Sequence, residues 1–280
     1  MGTSTSRLLR RGCRPLALVA AASLLVLPLG ASQAQTEEAE VPGKTFAAYE
    51  FGWYPIHFVD HFVDPLGDAW EVAGPGSVQT QNGMLTIESQ GDATTGATLR
   101  GEAHDRGRWE IRLRGRRFET ADTDFTVAAE LVRAGGLGDD CGARTIGFAS
   151  FRPTGHRVRF EVRNPPDHSF GRQLRATELG NDYWHTYGVE VTPRRISWFV
   201  DGEVQATERR PEALSGVPLD LRLQLQAVPG ATMNDSRLQV DTVRYFTLKS
   251  ANDLPVRAPR PVMRPYADAC PGAGEPTASR

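Results

Sequence analysis

Two carboxylates in this chain, Glu130 and Glu161, lie in segments that alternate polar with apolar residues. Such groups, facing one another across a sheet, can act as a general acid and a general base. Arginines accompany them. In Arg157-Val158-Arg159-Phe160-Glu161-Val162-Arg163 the charged residues share one face, and Gln224 and Gln226 alternate with leucines in Leu221 to Leu225. This mixed face admits three readings: a relocated acid/base pair, a guanidinium surface that grips anions through paired N–H donors, or a solvated Arg–Glu ladder. The histidines His57, His61, His104, His156, His168 and His185 show no metal-ligand spacing. No Glu anywhere has an Asp two residues further on.

The elements that must position these groups read as strands. Arg108-Trp109-Glu110-Ile111-Arg112-Leu113-Arg114 puts Trp109, Ile111 and Leu113 on one face and the charges on the other. Val158, Phe160 and Val162 repeat the pattern, as do Leu221, Leu223 and Leu225. A period of two with one apolar face marks half-buried antiparallel strands. Asn82-Gly83, Asp201-Gly202 and Pro229-Gly230 supply turn signals between them. Only Arg209 to Ser215 suggests even a short helical turn. Many short strands, regular turns and few helices predict an all-β sandwich or barrel.

The N-terminus reads as an export signal over 1–34. Arg7, Arg10, Arg11 and Arg14 precede the uncharged apolar run Leu16 to Gly30, and Ser32-Gln33-Ala34 offers a cleavage site. The run is short for a membrane span, so no span is expected after cleavage. Residues 35–45 form a polar lead-in, 46–250 the folded domain, and 251–280 a tail rich in Pro, Ala and Arg. Removing the signal's four arginines takes the formal charge from −2 to about −6, which argues against a nucleic-acid partner. Lysine occurs only at Lys44 and Lys249 while arginine is abundant, a bias that suggests a high-GC bacterial source and hence a secreted or extracytoplasmic bacterial protein. Cys141 and Cys270 remain after cleavage, and an even pair in an exported chain predicts a disulfide between them. Asn234-Asp235-Ser236 fits a glycosylation pattern, read as coincidence in a bacterial chain.

Several segments in order carry a resemblance to glycoside hydrolase family 16. Asp60-His61-Phe62 with Asp68-Ala69-Trp70 looks like the family's opening strand. Arg106 to Leu113 is similar to its Gly-Arg-Trp-Glu strand. Trp184-His185-Thr186-Tyr187 through Ile196-Ser197-Trp198-Phe199-Val200-Asp201-Gly202 is the nearest match, and Leu223 to Pro229 and Gln239 to Tyr245 resemble the last two strands. The resemblance covers about 46–248. It implies a concanavalin A-like jelly roll, a β-sandwich of two curved antiparallel sheets whose concave face forms a sugar cleft.

The same resemblance implies a retaining hydrolase with carboxylates about 5 Å apart, carried by one strand as E-x-D-x-x-E. Laid on that motif, the strand Gly142 to Phe151 places Ala143 at the nucleophile and Thr145 at the middle Asp, with Phe148 (or Gly147 without a bulge) at the acid/base. None of these residues can ionise. The strand before it, Phe125 to Val132, lacks the aromatics on which sugars stack. Asp241 matches an Asp that in the family helps hold a structural Ca²⁺, and no other cofactor is implied. The resulting expectation is a secreted, non-catalytic carbohydrate-binding domain, its partner a polysaccharide or glycoconjugate, an anionic one included, touching Glu130, Arg159, Glu161, Arg163, Gln224 and Gln226. The alternatives are an active glycosidase with Glu130 and Glu161 as relocated carboxylates, and a structural or protein-binding sandwich.

Overall fold

A computed structural model describes residues 45–118, 123–135, 144–164, 168–175, 182–214, 216–250 and 258–265. The expected signal peptide, Ala143, and the cysteine pair Cys141 and Cys270 lie outside the described residues. In chain order the first strands are β1 (Ile56–Asp60), β2 (Trp70–Ala73), β3 (Ser77–Thr80), β4 (Leu85–Glu88), β5 (Thr95–His104), β6 (Gly107–Arg117), β7 (Thr126–Arg133) and β8 (Thr145–Phe151). They are followed by β9 (Arg157–Asn164), β10 (His168–Arg175), β11 (His185–Thr192), β12 (Arg195–Val200), β13 (Glu203–Glu208), β14 (Leu219–Gln226), β15 (Ser236–Phe246) and β16 (Val262–Pro265). One helical turn, α1 (Ala47–Glu50), precedes β1, and a single 3₁₀ turn spans Pro211–Ala213.

These strands form two antiparallel sheets. The first runs β13-β12-β11-β6-β15-β4-β3, with β1 also pairing β15, and the second runs β16-β10-β9-β8-β7-β14-β5-β2. The fold is the all-β jelly-roll sandwich that the alternation and the resemblance imply. Local chemistry closes the hairpins. Asn82 and Gly83 both hold positive φ between β3 and β4, as do Asp201 and Gly202 between β12 and β13. Paired positive φ values give the turn whose twist matches that of the flanking strands. Gly202 is further constrained, because a Cβ there would lie 2.8 Å from the Thr45 methyl.

A single apolar cluster fills the space between the sheets, with Trp198, Tyr187, Phe125, Phe148 and Phe160 fully buried in it. A polar bond crosses this core: the Trp198 indole N–H donates to the Gly147 carbonyl at 3.1 Å. A buried indole needs such an acceptor, so the well-matched β12 segment is keyed directly to strand β8.

The first sheet departs from the simple pattern. Its charged face is covered by α1, Trp53 and the segment after β15. Ala47, Ala48, Trp53, Phe199 and Phe246 make a second, smaller apolar cluster there. The charges beneath it are paired. Arg108 Nε bonds Glu190 at 2.8 Å while Arg195 takes the other Glu190 oxygen at 2.8 Å. Arg244 bonds Glu110 at 2.7 Å and lies 3.9 Å from the centre of the Phe46 ring.

The sandwich also extends into the segment read from sequence as a tail. Residues 262–265 add to the edge of β10, with Ser169 opposite Arg264 and Gly171 opposite Val262. Pro259 and Pro261 carbonyls accept bonds from the Thr207 N–H at 3.0 Å and the Arg210 guanidinium at 2.7 Å.

Candidate functional site

Alternation decides which side chains reach the open face of the second sheet. On β7, Val127, Ala129 and Leu131 enter the core, so Thr126, Ala128 and Glu130 point away from it. On β9 the core takes Val158, Phe160 and Val162, which leaves Arg157, Arg159, Glu161 and Arg163 outside. On β14 the leucines go inward and Asp220, Arg222, Gln224 and Gln226 outward. Arg159, Glu161, Arg163, Gln224, Gln226 and Glu130 therefore share one face.

Strand β8 carries a bulge, and the bulge corrects the register read from sequence. Thr145 pairs Arg163, Gly147 pairs Glu161, and the next outward pair is Ser150 with Arg159. Toward β7 the same positions meet Val132, Glu130 and Ala128. The extra residue places both Phe148 and Ala149 in the core, each without exposed surface. Phe148 thus cannot occupy a cleft-facing acid/base position. The outward residues spaced as in E-x-D-x-x-E are Thr145, Gly147 and Ser150. The shift leaves the chemical conclusion intact, since none of these three carries a carboxyl group. A Cβ built at Gly147 meets only ordinary contacts, the nearest at 3.7 Å, so the space for a side chain is there and unused.

The relocated pair is brought into one row. Glu130 and Glu161 flank Gly147 on either side, two strand spacings or roughly 10 Å apart along the backbone. Each is already engaged. Arg222 bonds Glu130 at 2.8 Å, and Arg163 bonds Glu161 at 3.2 Å. Asp220 is likewise held by Arg100 at 2.8 Å, which also binds Glu71 at 2.6 Å. Gln224 and Gln226 bond one another at 3.1 Å.

Toward β9, β10 and β16 the balance of charge changes. Two adjoining hollows of about 420 and 650 Å³ share Arg159 and Gln173. Among the described residues, six arginines line them: Arg152, Arg157, Arg159, Arg172, Arg260 and Arg264. Glu161 is the one acidic residue among the described lining residues, and Arg163 engages it. No described tryptophan or tyrosine lines either hollow. Trp53, Trp70, Trp109 and Trp198 are buried, and Trp184 sits at the first sheet against the guanidinium groups of Arg112 and Arg114, 4.6 Å from each. The arginines contributed by β10 and the 258–265 segment were missed by sequence reading, which treated that segment as a tail.

The residues about Asp241 do not suit calcium. Its carboxylate is ion-paired with Arg112, and the hollow around it is lined by Phe46, Tyr49, His61, Thr242 and the guanidinium groups of Arg112 and Arg244. Ca²⁺ takes six to eight oxygen ligands, whereas this surrounding is cationic. Asn234 is fully buried, and its amide donates to Asp124 at 3.0 Å, which leaves it inaccessible for glycosylation in the folded state.

No protein-family model matches the chain, and no curated protein matches it. Solved structures do. The catalytic domain of an endo-1,3-β-glucanase (laminarinase) from Thermotoga petrophila RKU-1 aligns with a TM-score of 0.58 at 15% identity, over 71% of this chain and 100% of that one. A laminarinase from Flavobacterium sp. UMI-01 gives 0.56 at 14% identity, over 69% and 100%. SCLam, a non-specific endo-β-1,3(4)-glucanase from family GH16, gives 0.53 at 14%, over 69% and 91%. At these identities the likeness concerns architecture: this chain has the concanavalin A-like fold of glycoside hydrolase family 16 enzymes.

Proposed function

We propose that this domain, exported from a bacterial cell, binds an anionic polysaccharide or glycoconjugate along the open face of its second sheet and does not hydrolyse it. The observation that carries this reading is the six-arginine groove beside a β8 strand without carboxylates. Planar guanidinium groups bind sulfate and carboxylate through paired N–H donors. Among the described residues the groove presents no tryptophan or tyrosine platform, which favours charged over neutral sugars, whose recognition leans on ring stacking. The structural neighbours include enzymes that act on β-glucans, which supports a sugar as the ligand class.

The test is a panel of sulfated, uronate-containing and neutral polysaccharides presented to the mature protein. The expected outcome is saturable binding to anionic members that weakens with salt, no binding to neutral β-glucan, and no release of reducing sugar. Binding only to neutral glucans, or to none, would overturn the reading. Activity on any member that disappears in Glu130→Gln or Glu161→Gln would instead establish the second reading, a relocated acid/base pair, which the alignment of both carboxylates across Gly147 favours.

A further inference from the structure

A different cluster lies where the two sheets meet at the ends of β1 and β5. His57, Glu102 and His104 each present one donor atom there, all three within 4.8 Å of one another. Glu102 Oε2 is 4.0 Å from His57 Nε2 and 3.7 Å from His104 Nε2. Two strand irregularities produce this meeting. His57 occupies the register shift between Ile56 and Phe58 in the β1–β15 pairing. Glu102 lies in the excursion of β5 between Leu99 and His104, opposite only Leu219 to Leu221 of β14, where Gly101 holds a φ of +84°. Bulges re-aim side chains, and here two of them aim at one point.

The supporting surroundings are preorganised. The His104 ring lies flat on Tyr245, with centroids 3.8 Å apart and planes within 2°. Tyr245 is itself fixed by donating to the Arg106 carbonyl at 2.8 Å. Gly107 permits that packing, since a Cβ there would lie 2.2 Å from the Tyr245 ring. Held this way, His104 Nε2 is out of contact with water and lacks a hydrogen bond of ordinary length, the Glu102 carboxylate standing 3.7 Å away. A buried imidazole nitrogen held this loosely is a costly arrangement for a purely structural residue.

We propose that His57, Glu102 and His104 form a site for a borderline transition-metal ion of the Zn²⁺ class, coupling β1 of the first sheet to β5 of the second. Two imidazoles and one carboxylate suit Zn²⁺, Ni²⁺ or Co²⁺ and do not suit Ca²⁺ or Mg²⁺, which prefer oxygen donors. Donors at zinc-bond length in a tetrahedron are spaced about 3.3 Å apart, so a small rotation of the exposed His57 side chain closes the set. A fourth position remains open to solvent, the arrangement of three protein ligands plus exchangeable water. This site is separate from the arginine groove and independent of the proposed sugar binding.

The experiment uses the tag-free mature chain, stripped with chelator and titrated with Zn²⁺ by calorimetry and thermal melting. One equivalent is expected to bind, raising Tm by about 5–10 °C at a hundredfold excess over Kd, while Ca²⁺ and Mg²⁺ leave Tm unchanged. His57→Ala should abolish both signals and keep the metal-free Tm, because that side chain is largely exposed. Glu102→Gln should weaken binding at least tenfold, and His61→Ala should leave it intact. Absence of stoichiometric Zn²⁺ binding, or binding that survives His57→Ala, overturns the proposal.

Discussion

The outward faces of the two sheets are built from the same alternation, yet they dispose of their charges in opposite ways. Beneath α1 the first sheet buries Arg108, Glu110, Glu190 and Arg244, and each charge meets a partner of opposite sign. At its β9–β10–β16 end the second sheet leaves a run of arginines facing solvent with a single carboxylate among the described residues there. The buried set is closed on itself and serves the fold. The exposed set repels itself, and a protein keeps such a surplus at no benefit to stability; under the proposed function an external anion would complete its electrostatics.

The sharpest way to break this comparison is at the bulge dividing core from groove. Phe148→Glu should prevent folding, because it puts an unpaired charge into the centre of the core, whereas Ser150→Glu, facing out beside Arg159, should fold with a stability change within about 0.5 kcal/mol. Circular dichroism and thermal melts of the two variants decide the register. Next in size, Glu190→Ala should cost about 3–5 kcal/mol by denaturant unfolding, since it leaves the buried Arg108 without its counter-charge. A loss below about 1 kcal/mol would mean that the first sheet's charges are no more structural than the second's.

Removing Arg159 and Arg172 together should do the converse. Affinity for an anionic polysaccharide should fall at least tenfold while the unfolding midpoint stays put, as isothermal titration and melting would register. The smallest effect is a slope with pH. Burial pushes the Glu110 carboxyl up to about 7, against the opposing influence of Arg244 and the Ala48 and Ala47 N–H groups. Between the ordinary Glu value near 4.5 and that raised value the folded chain holds the extra proton, so this group's contribution falls as pH rises through the interval. The slope is at most about 1.4 kcal/mol per pH unit, and Glu110→Gln should flatten it in unfolding curves taken from pH 4.5 to 7.

Most of the architecture was legible because half-buried strands write their faces directly into sequence. Trp109, Ile111 and Leu113, or Val158, Phe160 and Val162, declare the core side, and Asn82-Gly83 and Asp201-Gly202 declare the hairpins. Two things were not legible. The register at β8 depends on one extra residue, and a bulge has no compositional mark there, although Ile146 and Phe148 two apart already pointed both to the core. The charged face of β6 reads like any solvated face, since its cover comes from α1 and from residues more than 130 positions downstream. The histidine cluster escaped for the same reason: only Glu102 and His104, two apart on β5, share a local signal, and His57 reaches them through the fold.

The strand at Val262–Pro265 has a consequence for how the groove comes into being. It brings Arg260 and Arg264 to the arginines of β9 and β10 from about a hundred positions later in the chain, so the arginine groove exists in full only while that edge is docked. Under the proposed function, docking and ligation are thermodynamically linked. A polyanion spanning Arg159 and Arg264 would hold β16 in place, and by reciprocity whatever detaches β16 would weaken the grip on the polyanion and bare the N–H and C=O groups of β10 to other extended chains.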